Sequence, residues 1–426
     1  MARLIRHLIG FLLTLVFLAV PHVLSAQDVH VKYLAHTTST SELDLYRELA
    51  KSFQEQHPGI EVEILAPVGP WLERLKVMIA GGTPPDAIFA PNWWIPELVM
   101  NDLLLDITKF AANDPQWHDD DFFPVTVEQT FYQGRRYAVP RHFSPMLIFF
   151  NRTLFQQSGL DDPPADWTWD EFRDYARRLT RHSGDQTDYW GFLNVRGQEL
   201  AGNAYMIPLV RSFGGRVLSE DGLDLELTSE VSSSAVQWFI DLALEDRVSP
   251  TPAETEGLGG LNLTAAQRTA MWLDIFAGIM NTRSAEVSFD WDVAQVPTGP
   301  AGRVNRAASG VHAIVRDSAH PQAAWEWIKF LGSSEAQQAF AASGLVMGAR
   351  IDSAIVDTLM VENEPPNNLR LFMEAALDAQ PYPATPFYNE AVAAIQPAMA
   401  SAWQGNQPFR LAIQEVRERV EAILKQ

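Results

Sequence analysis

The stretch from Val29 to Ile64 constrains the fold more than any other part of the chain. "VHVKYLA" alternates Val29, Val31 and Tyr33 with polar residues, the period of a strand. Ser41 and Asp44 then read as a capping box, and Tyr46, Leu49, Ala50 and Phe53 fall at i, i+3, i+4, i+7, the spacing of one helix face. "HPG" at 57 to 59 stops that helix, and "IEVEI" at 60 to 64 alternates again. Strand, helix and strand in so short a span predict a βαβ unit with parallel strands, which commits this end of the chain to an open α/β sheet.

The pattern continues. A second amphipathic run, Trp71 to Ile79, ends at Gly81-Gly82, and "DAIFA" at 86 to 90 supplies a third strand. Ligands of open α/β sheets sit beyond the carboxyl ends of the strands, which here means "HTTST" (36 to 40) and "PNWW" (91 to 94). Further on, "MLIFF" reads as a buried strand, and Thr168 with Glu171 forms a capping box ahead of Phe172, Tyr175, Ala176 and Leu179 on one helix face. Ala324, Trp327, Ile328 and Leu331 repeat that spacing, as does the last helix with Ile413, Val416, Val420 and Leu424. The 426 residues exceed what one core fills, so two or three lobes are expected.

Arg3 and Arg6 precede an apolar run from Leu8 to Val20, followed by Pro21 and the small residues Ser25 and Ala26. That predicts a secretory signal peptide over residues 1–26; the run is shorter than the roughly 20 apolar residues of a spanning helix. The chain has no cysteine, which excludes disulfides, thiolate metal sites and a lipid-modified cysteine after the signal. The expected location is therefore periplasmic, without a lipid anchor. Loss of Arg3 and Arg6 takes the formal net charge from -21 to -21 - 2 = -23, a surface that repels nucleic acid and anionic lipid.

Catalytic signatures are missing. No G-x-x-x-x-G-K, G-x-G-x-x-G or G-x-S-x-G occurs, and the ten histidines show no H-E-x-x-H, so neither a cofactor nor a metal is expected. Asp290 and Asp292 in "FDWDV" could form an acid/base pair on one strand face, although glycosidase carboxylates usually come from separate elements. "WHDDD" (117 to 121) lacks the Gly and the distal Glu of a calcium loop and reads as a solvated turn. The 13 Trp, 23 Phe and 9 Tyr are more informative, because aromatic faces cover the C–H faces of sugar rings while polar groups bond the hydroxyls. Trp238, Trp325 and Trp327 are expected in the core, whereas Trp93 and Trp94 stand just past a strand end.

Taken in order, several blocks resemble family 1 of the extracellular solute-binding proteins of ATP-binding cassette importers, the maltose-binding-protein-like group. They are "LYRELAKSFQEQHPGIEVEI", "GGTPPDAIFA", "GRRYAVPRHFSPMLIFFNRTLFQQSGLDDPPADWTWDEF", "AMWLDIFAG", "VPTGPAGR", "ASGVHAIV" and "PQAAWEWIKFLGSSEAQ". The resemblance implies a two-lobed α/β periplasmic-binding-protein fold with three interlobe crossings: after the Y-x-V-P segment, near Ser309 to His312, and near Met347 to Arg350. Lobe I would comprise 27–141 and 312–347, and lobe II 142–311 and 348–426. It implies a protein without catalysis that binds a carbohydrate in the interlobe cleft and delivers it to a membrane permease, as a monomer. Arg141 and His142 would sit in the hinge at the cleft floor, facing ligand, with Asn151 structural at the far end of its strand. The other implied ligand positions are Thr38, Ser39, Asn92 and Trp93 on the first lobe, Asn203, Tyr205, Trp272, Asp274 and Tyr388 on the second, and Gly310 and Arg350 at crossings. Two alternatives stand beside this reading: a secreted carbohydrate-active hydrolase, and the same fold binding a phosphorylated polyol with Arg141 and Arg350 as an anion clamp.

Overall fold

The computed structural model describes residues 29–36, 39–66, 69–184, 186–194, 206–255, 263–264, 266–352, 357 and 364–426. The proposed signal segment and Thr38, Asn203 and Tyr205 lie outside them. The opening unit forms as its pattern dictates: β1 (Val29–Leu34), α1 (Thr40–Gln56) and β2 (Ile60–Leu65), with β1 and β2 parallel and Val31 opposite Val62. Tyr46, Leu49, Ala50 and Phe53 are the apolar residues α1 buries. The cap differs from the expected Ser41. Ser39 has extended backbone, φ -149° and ψ 159°, and its hydroxyl accepts from the Glu42 N–H at 3.2 Å, so the helix begins at Thr40, two residues earlier than a Ser41 cap would set it.

Two sheets follow, each with its own core. With α2 (Trp71–Ala80), β3 (Ala87–Pro91), β4 (Ala138–Phe143), β5 (Met146–Asn151), β6 (Arg181–Ser183), β7 (Gln186–Asn194), β8 (Thr269–Ile275), β9 (Trp291–Ala294), β10 (Ser309–Ile314) and β11 (Met347–Gly348), the first sheet has the order β11-β4-β10-β3-β1-β2. The second has the order β9-β5-β8-β7-β6. Val31, Tyr33 and Phe89 face α1 and the helix Pro321–Leu331, while Leu34, Ile88 and Ala90 face Trp71 and Leu75 of α2. In the second sheet Met146, Ile148 and Phe150 enter one core, and Leu147 and Phe149 another. Both faces of "MLIFF" are covered, which is why the run is apolar without alternation. Asn151 ends the strand and caps the next helix by accepting from the Leu154 N–H at 3.0 Å. The Thr168–Glu171 capping box is also present.

Sheet membership corrects the expected boundaries. Arg141 and His142 both belong to β4, so the chain leaves the first sheet only after Phe143 and enters the second at Met146. Ser309 to Val311 likewise belong to β10 of the first sheet, not to the second lobe, and Arg350 bridges Phe122 of the first. One apolar cluster joins the lobes at this turnover point: Phe123, Phe143 and Met347 pack with Leu147, Phe149 and Trp272. Among the described residues no helix is long and apolar enough to cross a membrane, and no group of three or more acidic, histidine or cysteine side chains could hold a metal ion.

Candidate ligand site between the two sheets

Strand direction brings the site together. β1 and β3 run parallel, while β10 is antiparallel to β3 and to β4, so the ends of β1, β3 and β4 and the start of β10 share one edge of the first sheet. That edge carries His36, Asn92, Trp93, His142 and Gly310. At the Asn92–Trp93 end of that edge lies a cavity of about 280 Å³, lined by those two residues, by Glu128 and Gln129, and by Pro381 and Tyr382 of the second lobe; His36, His142 and Gly310 are not in its lining. The Trp93 ring centroid stands 5.6 Å from that of Tyr382, and Asn389 donates to Glu97 across the gap at 3.3 Å. An aromatic from each lobe, a carboxylate and an amide can together cover a ring's C–H face and bond its hydroxyls.

Trp93 and Trp94 separate in space. Trp94 turns back onto the sheet edge, 5.3 Å from Trp71 and 6.0 Å from His36, whose ring is 5.8 Å from Phe89. Burial pushes the His36 imidazole below its ordinary pKa, so the ring joins this aromatic group as a neutral one. Asn92 does not face the cavity as a free amide: its side-chain oxygen accepts from the Ser309 N–H at 3.1 Å and ties β3 to β10. Ser309 in turn donates to Gln129, whose amide donates to the Ala307 carbonyl.

Arg141 is the clearest departure from expectation. It is 2% exposed, its Nη2 donates to Glu42 at 2.5 Å, and its guanidinium lies 4.6 Å from the Phe89 ring and 4.7 Å from Phe340. It is thus a neutralised core cation rather than a ligand contact. Arg350 pairs with Asp121 at 3.0 Å and lines a different cavity beside Trp117 and Phe122. With both arginines committed to carboxylates, the anion-clamp reading loses its residues. Trp272 is fully buried and packs on Phe149 at 5.6 Å, placing it in the second lobe's core. Asp274 is buried against the start of the helix Gly278–Ser284, where a Cβ on Gly278 would lie 2.6 Å from Oδ2.

Tyr388 lies behind Tyr382, their rings 6.1 Å apart, and burial holds its phenol well above the usual pKa. Gly310 serves close approach: a Cβ there would sit 2.5 Å from His142 Cε1 and inside the Phe89 ring's contact distance. Ser39 is the α1 cap. Of the thirteen expected positions, Asn92 and Trp93 line the cavity, His142 stands on the same sheet edge outside its lining, and Tyr388 forms a second layer. His36 falls in the expected segment 36–40, whereas nothing in the sequence points to Trp71, Phe89, Gln129 or Tyr382 as neighbours of the site. Tyr382 sits in "QPYPATP", where proline marks a loop and nothing marks a site; Trp71 was legible only as a helix residue.

The chain matches the family described as bacterial extracellular solute-binding protein over residues 37–338. It belongs to that family. The binding protein is 22% identical over 424 residues to a binding-protein relative in Brucella abortus (strain 2308), 98% of each chain. It is 24% identical over 269 residues to the mannitol-binding protein of Pseudomonas aeruginosa, covering 60% of this chain and 57% of that one. Among solved structures, a substrate-binding protein of Listeria monocytogenes in complex with cycloalternan superposes with a TM-score of 0.81 at 19% identity, over 93% of this chain and 99% of that one. The sugar-binding protein MalE of Xanthomonas citri gives 0.80 at 20% identity, over 93% and 98%. Those likenesses establish the two-lobed fold.

Proposed function

We propose that this binding protein is the substrate-binding component of an ATP-binding cassette carbohydrate importer, which closes on a saccharide between its lobes and presents it to a membrane permease. The observation that carries the proposal is the contact of Trp93 with Tyr382 from opposite lobes, ring centroids 5.6 Å apart, both lining a cavity of about 280 Å³ where the lobes meet. The cycloalternan bound to the Listeria protein and the name of the Pseudomonas relative support carbohydrate or polyol chemistry for the same fold. The three changes of sheet, at Ser144-Pro145, between Ala294 and Ser309, and after Gly348, are proposed as the crossings about which the lobes turn. Residues 1–26 act in this reading as an export signal, leaving a periplasmic monomer without a lipid anchor.

The hydrolase alternative is disfavoured by a specific contact. Asp290 and Asp292 both bind Arg152, at 3.2 and 2.7 Å, so the carboxylates that could have worked as an acid/base pair are held in an ion cluster with Asp162. A thermal-shift screen against saccharides and polyols tests the proposal, because saturation at 100 times the dissociation constant adds roughly 2.7 kcal/mol to stability. The expected result is a shift with at least one saccharide, recovered chemically unchanged. Turnover of the saccharide would favour the hydrolase.

A further inference from the structure

The end of β4 is irregular where it meets the cleft. Val311 pairs with Pro140 and Gly310 with His142, so Arg141 and His142 together oppose one residue of β10. An extra residue of this kind is a β-bulge; it breaks the strict alternation and lets successive side chains turn the same way. Pro140 beside it has no N–H to lose from the ladder. The outcome is that Arg141 Nη1 lies 3.0 Å from Nδ1 of the next residue, His142, while Nη2 of the same guanidinium is anchored on Glu42 at 2.5 Å.

A guanidinium has only donors. Nδ1 of His142 must therefore accept, and in a neutral imidazole that puts the proton on Nε2. Gly310 and Phe89 hold the ring itself, since a Cβ on Gly310 would lie 2.6 Å from Nδ1 and Phe89 stands 6.2 Å away. The ring is half-buried on the edge that faces the second lobe, and among the described residues nothing is hydrogen bonded to Nε2. We infer that Glu42 and Arg141 are positioning residues that fix His142 as a donor-only group, its Nε2–H presented to an acceptor oxygen of the bound solute.

This assigns specificity to one point of the cleft. A carboxylate selects hydroxyl protons, whereas a fixed N–H selects an oxygen lone pair, including the ring or glycosidic ether oxygen that has no proton to give. The ligand class rests on the carbohydrate reading; the fixed tautomer does not.

The test separates the two. Long-range proton–nitrogen correlation spectra of ¹⁵N-labelled protein, with His142→Gln to assign the ring, should show a protonated Nε2 and an unprotonated Nδ1 in the ligand-free state. A protonated Nδ1, or a mixture of tautomers, would overturn the inference. In Glu42→Gln, which loosens the arginine without removing its partner's shape, a mixture should appear; an unchanged spectrum would remove Glu42 from the positioning role. With maltose as the probe, His142→Phe should weaken binding about tenfold, the scale of one net hydrogen bond, while His142→Gln, which keeps a donor, should recover most of it. Equal affinity of wild type and His142→Phe would sink the donor role. If maltose, cellobiose, raffinose and mannitol all leave the melting transition unmoved, the carbohydrate reading falls, and the tautomer is decided by the spectra alone.

Discussion

At the residue scale the decisive feature is a charge pair taken out of water. Glu42 and Arg141 are 5% and 2% exposed and meet at 2.5 Å among Phe89, Phe340 and Tyr46. Truncating one partner strands the other, so Glu42→Ala should cost about 3 to 5 kcal/mol in chemical denaturation, and Glu42→Met with Arg141→Met much less. Burial first, then the neighbouring Arg141, also holds His142 and His312 well below their ordinary pKa. Each ring is neutral when folded and titrates near pH 6.5 when unfolded, so the unfolded chain binds more protons below that pH. Stability should be full above about pH 6.5 and fall as pH drops below it, by up to about 1.4 kcal/mol per unit for each histidine. Urea midpoints at pH 7.5, 6 and 5 read this directly; a flat profile would contradict the neutral burial. Trp93→Ala should weaken saccharide binding by about 1 to 3 kcal/mol by calorimetry, with the melting temperature nearly unchanged.

At the element scale, one bulge does work that regular pairing could not. β4 carries a core cation and a half-buried histidine on adjacent residues because Arg141 and His142 share one partner in β10. Gly310 is that partner, and its missing side chain makes room for His142 and Phe89. Gly310→Ala should lower stability by about 1 to 3 kcal/mol through overpacking, read as a drop in melting temperature, and should disturb the His142 ring resonances. The helices behave more simply. α1 and Trp169–Leu179 each begin at a side-chain cap and bury the face their spacing predicts, so Thr168→Ala should cost about 1 kcal/mol without touching the site.

For the whole molecule, the two cores meet through a narrow apolar cluster around Phe143, Leu147 and Met347, with Trp93 on Tyr382 and Glu97 on Asn389 as contacts across the cleft. Few packed elements join the lobes, which leaves the angle between them soft. A solute that touches both lobes binds both only in the shut state, and that differential affinity shifts the population. Saturating saccharide should therefore reduce the radius of gyration in solution scattering and change tryptophan fluorescence with the same midpoint. A scattering curve unaltered by bound ligand would rule out closure as the mechanism.

Periodicity alone determined the βαβ opening, the buried "MLIFF" strand, the faces of the helices and the edge of the sheet on which Trp93 stands, because each is a local property of spacing and burial. It could not determine what Arg141 does. An arginine ahead of a strand is the same letter whether it meets solvent, ligand or Glu42, and Glu42, 99 positions away along the chain, reaches it only through the tertiary fold. The same holds for Trp272, whose contact with Phe149 joins strands far apart in the chain, and for Arg350, which a distant turn supplies with Asp121. Pairing of charges and facing of rings are long-range events, decided by which strand lies beside which; the sequence carried the elements, and only their arrangement chose the partners.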